Sequence, residues 1–116
     1  MSKGYRRGML MVTRYRVPEG EAEQFRQLAR PAVEALAQRP GCEQVRFGRS
    51  SDDGQLWILA SSWRSVGSYR RALSDPDVKL RAVPLMYRCF DEPTAFEDLI
   101  TWNPAAGLAE FDSDLR

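Results

Sequence analysis

Histidine is absent from the chain, and that single absence removes much familiar chemistry. Without an imidazole there is no His general base, no Ser–His or Cys–His nucleophile pair, and no His ligand for zinc or iron. Cysteine is scarce: Cys42 and Cys89 lie far apart and form no metal or redox spacing, so they read as two reduced thiols. No glycine-rich phosphate loop and no hydrolytic triad can be found. No apolar run reaches the ~18 residues of a membrane span. The stretch SKGYRRG after Met1 is too polar for the core of a secretory signal, so a cytoplasmic protein with no membrane partner is expected. Net charge is only +1, which gives nucleic-acid binding no bulk electrostatic support. Lysine is nearly missing too. Of 17 cationic residues only Lys3 and Lys79 are lysine, an arginine bias that reads as genome composition rather than function.

What is present is ordinary for one globular domain: 116 residues, 43% of them hydrophobic and 28% charged. A chain this short buries only about two-thirds of its unfolded surface, and oligomerisation would add to its stability. Residues 1–8 read as a basic tail. Residues 9–17 alternate with period two, Met9, Met11, Thr13, Tyr15 and Val17 on one face, and predict a strand that Pro18 ends. From 19 to 38 the period becomes helical, with Phe25, Leu28, Ala29, Ala32, Val33 and Leu36 in one stripe. Pro31 inside it predicts a kink or break near Arg30, and Pro40-Gly41 a stop. Residues 43–50 read as a second strand. Asp52-Asp53-Gly54 reads as a hairpin turn, and 56–63 as a third strand antiparallel to the second.

Ser65 is the expected N-cap of a helix over 66–73. Asp75-Pro76 opens another that continues through Phe90, with a kink at Pro84. The last strand is expected over 94–102. It is irregular, because Phe96 and Leu99 share a face only through a bulge. Residues 103–116 read as a C-terminal tail or an arm laid on a partner, which leaves 9–102 as the folded domain. The resulting order, β-α-β-β-α-(α)-β, predicts an α+β fold of the ferredoxin-like kind: a four-stranded antiparallel sheet with helices on one face.

The stretch 55–73, QLWILASSWRSVGSYRRAL, is the most informative. Both faces of its strand are largely apolar, whereas one layer of helices covers only one face. A second copy of the sheet is the simple cover for the other, so a homodimer is expected, with Leu56, Ile58 and Ala60 at its interface. Trp57, Leu59 and Trp63, with Tyr69 beyond, would wall any pocket. The same aromatics serve equally as core residues that pack helix on sheet.

Three segments carry a resemblance: VPEGEAEQFRQL after the first strand, RPGCEQVRFGRSSDDGQ into the hairpin, and WRSVGSYRRALSDPDV after the third strand. With DEPTAFEDL as a closing strand, they resemble the antibiotic biosynthesis monooxygenase family over about residues 9–101. The resemblance implies a dimeric α+β barrel, two ferredoxin-like sheets packed face to face. One branch of that family degrades haem with an Asn, a Trp and an iron-ligating His. Those positions fall on Thr13, Ala72 and about Ala82, so no haem is expected.

A second branch oxygenates polycyclic phenols with neither cofactor nor metal, and its pocket Trp and Tyr match Trp63 and Tyr69. The resemblance thus implies catalytic roles for Trp63 and Tyr69. It puts Leu59 and Arg49 where that branch has an Asn and a His, and Arg81 near its pocket Arg. Thr13, Phe47 and Trp57 complete the expected substrate walls, with Tyr15, Met9 and Met11 beside them. Such chemistry draws its electrons from the substrate. The protein excludes water, orients the ring and stabilises an anion. The function implied is a cofactor-independent monooxygenase that joins an electron-rich aromatic to dioxygen. The alternative is a non-catalytic dimeric small-molecule-binding or accessory module of the same fold.

Overall fold

A computed structural model of the chain describes residues 7–114. Most of the basic segment expected at 1–8 therefore lies outside the described residues. Arg7 is held between Glu97 and Asp114, at 2.9 Å from each.

Alternating side chains build the sheet. Strands β1 (Met9–Arg16), β2 (Cys42–Arg49), β3 (Leu56–Trp63) and β4 (Ala95–Glu97) form one antiparallel sheet in the order β2-β3-β1-β4. Along β1 the odd residues Met9, Met11, Thr13 and Tyr15 are buried, and along β3 so are Trp57, Leu59, Ser61 and Trp63. The register sets Met11 opposite Ser61, Thr13 opposite Leu59 and Tyr15 opposite Trp57, so these side chains share one face. That face packs against α1 (Ala22–Ala37) through Phe25, Ala29, Ala32 and Leu36, and against α2 (Val66–Leu73) through Tyr69 and Ala72. The α+β arrangement expected from the sequence, a four-stranded antiparallel sheet with helices on one face, is the observed one.

The opposite face stays half open. Leu10, Val12 and Ala60 are half-buried there, and Ile58 and Phe96 are 39% and 46% exposed. Among the described residues no helix is long and apolar enough to cross a membrane.

The helix starts follow capping chemistry. Ser65 accepts from the Ser68 backbone N–H while the Ser68 hydroxyl accepts from that of Ser65, a reciprocal cap for α2. Asp75 accepts from the N–H groups of Asp77 and Val78 and starts α3 (Pro76–Arg81). Gly41 is where this end of the molecule needs a glycine. Its φ is +89°, and a Cβ there would stand 2.4 Å from the Ser68 Cβ.

Three segments depart from the sequence expectation. Helix α1 runs through Pro31 without a break. The carbonyl that loses its helical donor belongs to Gln27, an exposed residue, so solvent can take the place of the missing N–H. The helix expected from Pro76 to Phe90 does break. Helix α3 ends at Arg81, and α4 (Val83–Met86) restarts with Pro84 in its first turn, where a missing N–H costs nothing. Finally, the single irregular strand expected over 94–102 is two strands. β4 is followed by β5 (Ile100–Asn103), which pairs with β6 (Gly107–Glu110) in a separate hairpin. This hairpin crosses the boundary expected at 102–103. The Asn103 side chain accepts from the Ala105 and Ala106 N–H groups to form its turn. Ile100, Trp102 and Leu108 lie on its outer face, each about two-thirds exposed.

Candidate functional site

Because α3 and α4 are separate, short and redirected at Ala82, they do not fill the space over the middle of β1. A cavity of about 610 Å3 remains between them and the sheet. Thr13, fully buried on β1, is its floor. Leu73, Val83 and Met86 supply apolar walls, and Cys89 and Thr94 close one side. Lys79 and Tyr87, both exposed, stand at the mouth. The volume falls within the range of pockets that enclose small organic ligands.

The floor is hydrogen-bonded. The Thr13 hydroxyl lies 2.7 Å from the Tyr15 hydroxyl and donates to the Leu59 carbonyl at 3.4 Å. If Thr13 donates to Leu59, Tyr15 donates to Thr13, and the phenol keeps its proton. Burial pushes the Tyr15 phenol from 10.0 up to about 12, with the Thr13 bond pulling partly the other way. Burial also pushes up the Tyr69 phenol and the Cys89 thiol. Cys89 lies close enough to both phenols to disfavour their ionisation. At neutral pH the groups behind the cavity are therefore uncharged proton donors, not bases.

A pH dependence follows. A phenol that ionises near 10 when unfolded and near 12 when folded keeps its proton more tightly in the native state. Its contribution to stability is fully present below about pH 10 and is lost as the pH rises toward 12. Urea midpoints should fall over that window, and Tyr15→Phe should flatten the fall. An identical alkaline slope in Tyr15→Phe would assign the effect elsewhere.

Of the residues expected at the site, Thr13 lines the cavity. Trp63 and Tyr69 come together, ring centroids 5.5 Å apart, but neither lines the cavity. Trp63 is fully buried and donates its indole N–H to Ser61 at 2.7 Å. Tyr69 sits one helical turn before the lining residue Leu73. Leu59 is fully buried beside Thr13 in the register.

Phe47, Trp57 and Arg49 gather at the other end of the sheet. Phe47 stacks on Trp57 with centroids at 5.3 Å, and Phe25 meets Trp57 edge-on. The Arg49 guanidinium covers the same indole at 4.8 Å and donates to the Gly54 carbonyl. Among the described residues the buried Trp57 N–H has no hydrogen-bond partner. Arg81 is turned to its own helix, bound to both Asp77 oxygens and facing Glu34 at 3.5 Å. Of the cavity's side chains, only Thr13 was singled out as a site residue from the sequence. Val83 and Met86 carried only a helical spacing that also fits a core, and Lys79 only its rarity.

A family model described as antibiotic biosynthesis monooxygenase matches residues 9–80, from β1 into α3. The chain belongs to this family. Solved structures share the family's fold at low identity. SnoaB of Streptomyces nogalater, a cofactor-independent oxygenase, superposes with a TM-score of 0.61 at 21% identity, over 93% of this chain and 96% of that one. A Deinococcus radiodurans protein named for the same family gives 0.67 at 20% identity, over 82% and 96%. A conserved protein of Methanosarcina mazei Go1 gives 0.66 at 16%, over 84% and 97%. Among curated proteins, none matches the chain in sequence. Membership in the family carries the fold. The cavity over Thr13 is this chain's own geometry and has to be argued from its residues.

Proposed function

We propose that the chain is a small cofactor-independent monooxygenase that oxidises an electron-rich aromatic, quinol- or anthrone-like, inside the cavity over Thr13. The observation that carries this reading is a cavity of about 610 Å3 with apolar walls and a hydroxyl floor, in a chain of the monooxygenase family. The substrate's activated C–H or O–H loses its proton to water at the cavity mouth, and the carbanion or phenolate passes one electron to dioxygen. The resulting radical pair combines to a peroxide. For a methylene carbon, loss of water then leaves a ketone, so one oxygen atom enters the product and the other leaves as water. Leu73, Val83 and Met86 exclude bulk water and orient the ring. The Thr13 hydroxyl, with Tyr15 donating to it from behind, turns its one proton from the Leu59 carbonyl to an oxygen of the substrate.

Oxygen uptake with a panel of anthrones and naphthohydroquinones, in the presence of chelator, tests the reading. Uptake should require the protein and fall on Thr13→Val. No uptake with any of them, or uptake undiminished in Thr13→Val, would sink it. A non-catalytic binding module is the second reading, favoured by one observation: among the described residues no carboxylate lines the cavity to act as base.

The working form is proposed to be a homodimer. Its support is the half-open sheet face, where Leu10, Val12, Ile58 and Phe96 lie without an apolar cover, and the exposed Ile100, Trp102 and Leu108 of the hairpin. Light scattering should give a dimer, and Ile58→Glu, which sets a charge on that face, should give a monomer. A wild-type monomer at micromolar concentration would refute the dimer.

A further inference from the structure

We propose that the cavity selects aromatic ligands that carry an anionic oxygen, a carboxylate or a phenolate, and that Lys79 holds this oxygen at the mouth. The inference rests on the cavity as a small-molecule site but not on its oxygen chemistry. Among the described residues Lys79 is the one charged side chain that lines the cavity. The other polar side chains there, those of Thr13, Tyr87, Cys89 and Thr94, can all donate a proton, and none is a carboxylate. A cation surrounded by donors fits an oxygen with several lone pairs and negative charge, and disfavours a ligand that is itself a cation.

The local helix leaves Lys79 uncommitted. Its natural partner one turn earlier is Asp75, at the favourable i,i+4 spacing. Asp75 is already taken: one oxygen binds Arg39 at 2.7 Å, and the other caps α3 through the N–H groups of Asp77 and Val78. Asp77 is taken as well, by the fork of Arg81. Among the described residues Lys79 has no ion pair, although two acidic residues stand on its own helical turn or just before it. The rings of a ligand would lie against Leu73, Val83 and Met86, with the charged group outward at the ammonium. Dioxygen and the reacting carbon would then sit deeper, toward Thr13. In the proposed reaction the same ammonium would favour the phenolate over the phenol, which supplies the anion without a protein base.

The test is ligand binding without oxygen chemistry. Naphthoate and its neutral counterpart naphthylmethanol differ in charge at nearly equal shape. In calorimetric titration the wild type should bind naphthoate about tenfold more tightly, with the preference shrinking as salt is added. Lys79→Gln should abolish the preference, chiefly through weaker naphthoate binding. Lys79→Arg should restore it, and Arg70→Gln, on the exposed side of α2, should leave it intact. Equal affinity for the two ligands in the wild type, or an undiminished preference in Lys79→Gln, would overturn the role of Lys79 while the oxygen-uptake experiment stands by itself. Failure of both ligands to bind at millimolar concentration would overturn the anion-selective cavity. Uptake that persisted in that case would place the oxygenase chemistry elsewhere in the chain.

Discussion

Replacing Trp63 with alanine is expected to cost about 3–5 kcal/mol of folding stability, measured by urea denaturation. The side chain is fully buried at the end of β3 and packs against Tyr69 at a centroid distance of 5.5 Å. Its indole N–H is the donor to Ser61, itself buried. Truncation therefore removes a large apolar surface, opens a hole under α2, and leaves a buried hydroxyl without its donor. Trp63→Phe keeps most of the packing but loses the hydrogen bond, and about 1–3 kcal/mol should go with it. Any activity lost in these variants has to be set against that stability loss. If Trp63→Phe stays fully folded at the assay temperature and still abolishes turnover, the indole matters to the reaction. If Trp63→Ala is as stable as wild type, the packing account of this end of the sheet fails.

Filling the cavity should have the opposite profile: little effect on the fold and a large one on the ligand. Leu73 and Val83 are half-buried lining residues on two different helices. In the double variant Leu73→Trp/Val83→Trp the indoles can occupy existing empty space instead of pushing into packed atoms. The overpacking cost should stay at or below about 1–3 kcal/mol. Aromatic ligand affinity should fall at least about a hundredfold, roughly 2.8 kcal/mol. Circular dichroism and the urea midpoint report the fold, and titration with naphthoate reports the site. Unchanged affinity in a folded double variant would remove this cavity as the binding site.

The parts of the fold that were legible in the sequence are those where local pattern and tertiary need agree. Period-two alternation in β1 and β3 marks the buried odd face, and Asp52-Asp53-Gly54 joins β2 to β3 as expected. Ser65 and Asp75 cap the helices they were expected to cap. Proline was read less well. Pro31 is tolerated because its lost hydrogen bond falls on the wet side of α1, and Pro84 permits a full break instead of a kink. Which outcome a helical proline takes depends on what covers it, and that is tertiary information. The C-terminal hairpin was missed because Phe96 and Leu99 were forced into one strand, whereas Gly107, at a φ of +75°, reverses the chain for β6.

The site was harder to read for a physical reason. A pocket is a place where side chains fail to meet, and periodicity reports only where they do. Trp63 and Tyr69 were conspicuous because they are large, and their size is what packs them into the core. Thr13 was named because it occupies a family position. Leu73, Val83 and Met86 line empty space only because α3 and α4 part at Ala82. Lys79 could be told from its neighbouring cation only once the Arg81–Asp77 fork was seen.

The most direct test of the central claim is the fate of isotope-labelled dioxygen. Wild-type protein, free of added cofactor and kept in chelator, would be given an anthrone under labelled gas, and the product examined by mass spectrometry. The account predicts one labelled oxygen atom in each quinone, formed at a rate that rises with protein and collapses in Leu73→Trp/Val83→Trp. Quinone formed equally fast by the cavity-filled variant, or quinone whose new oxygen comes from water, would contradict it.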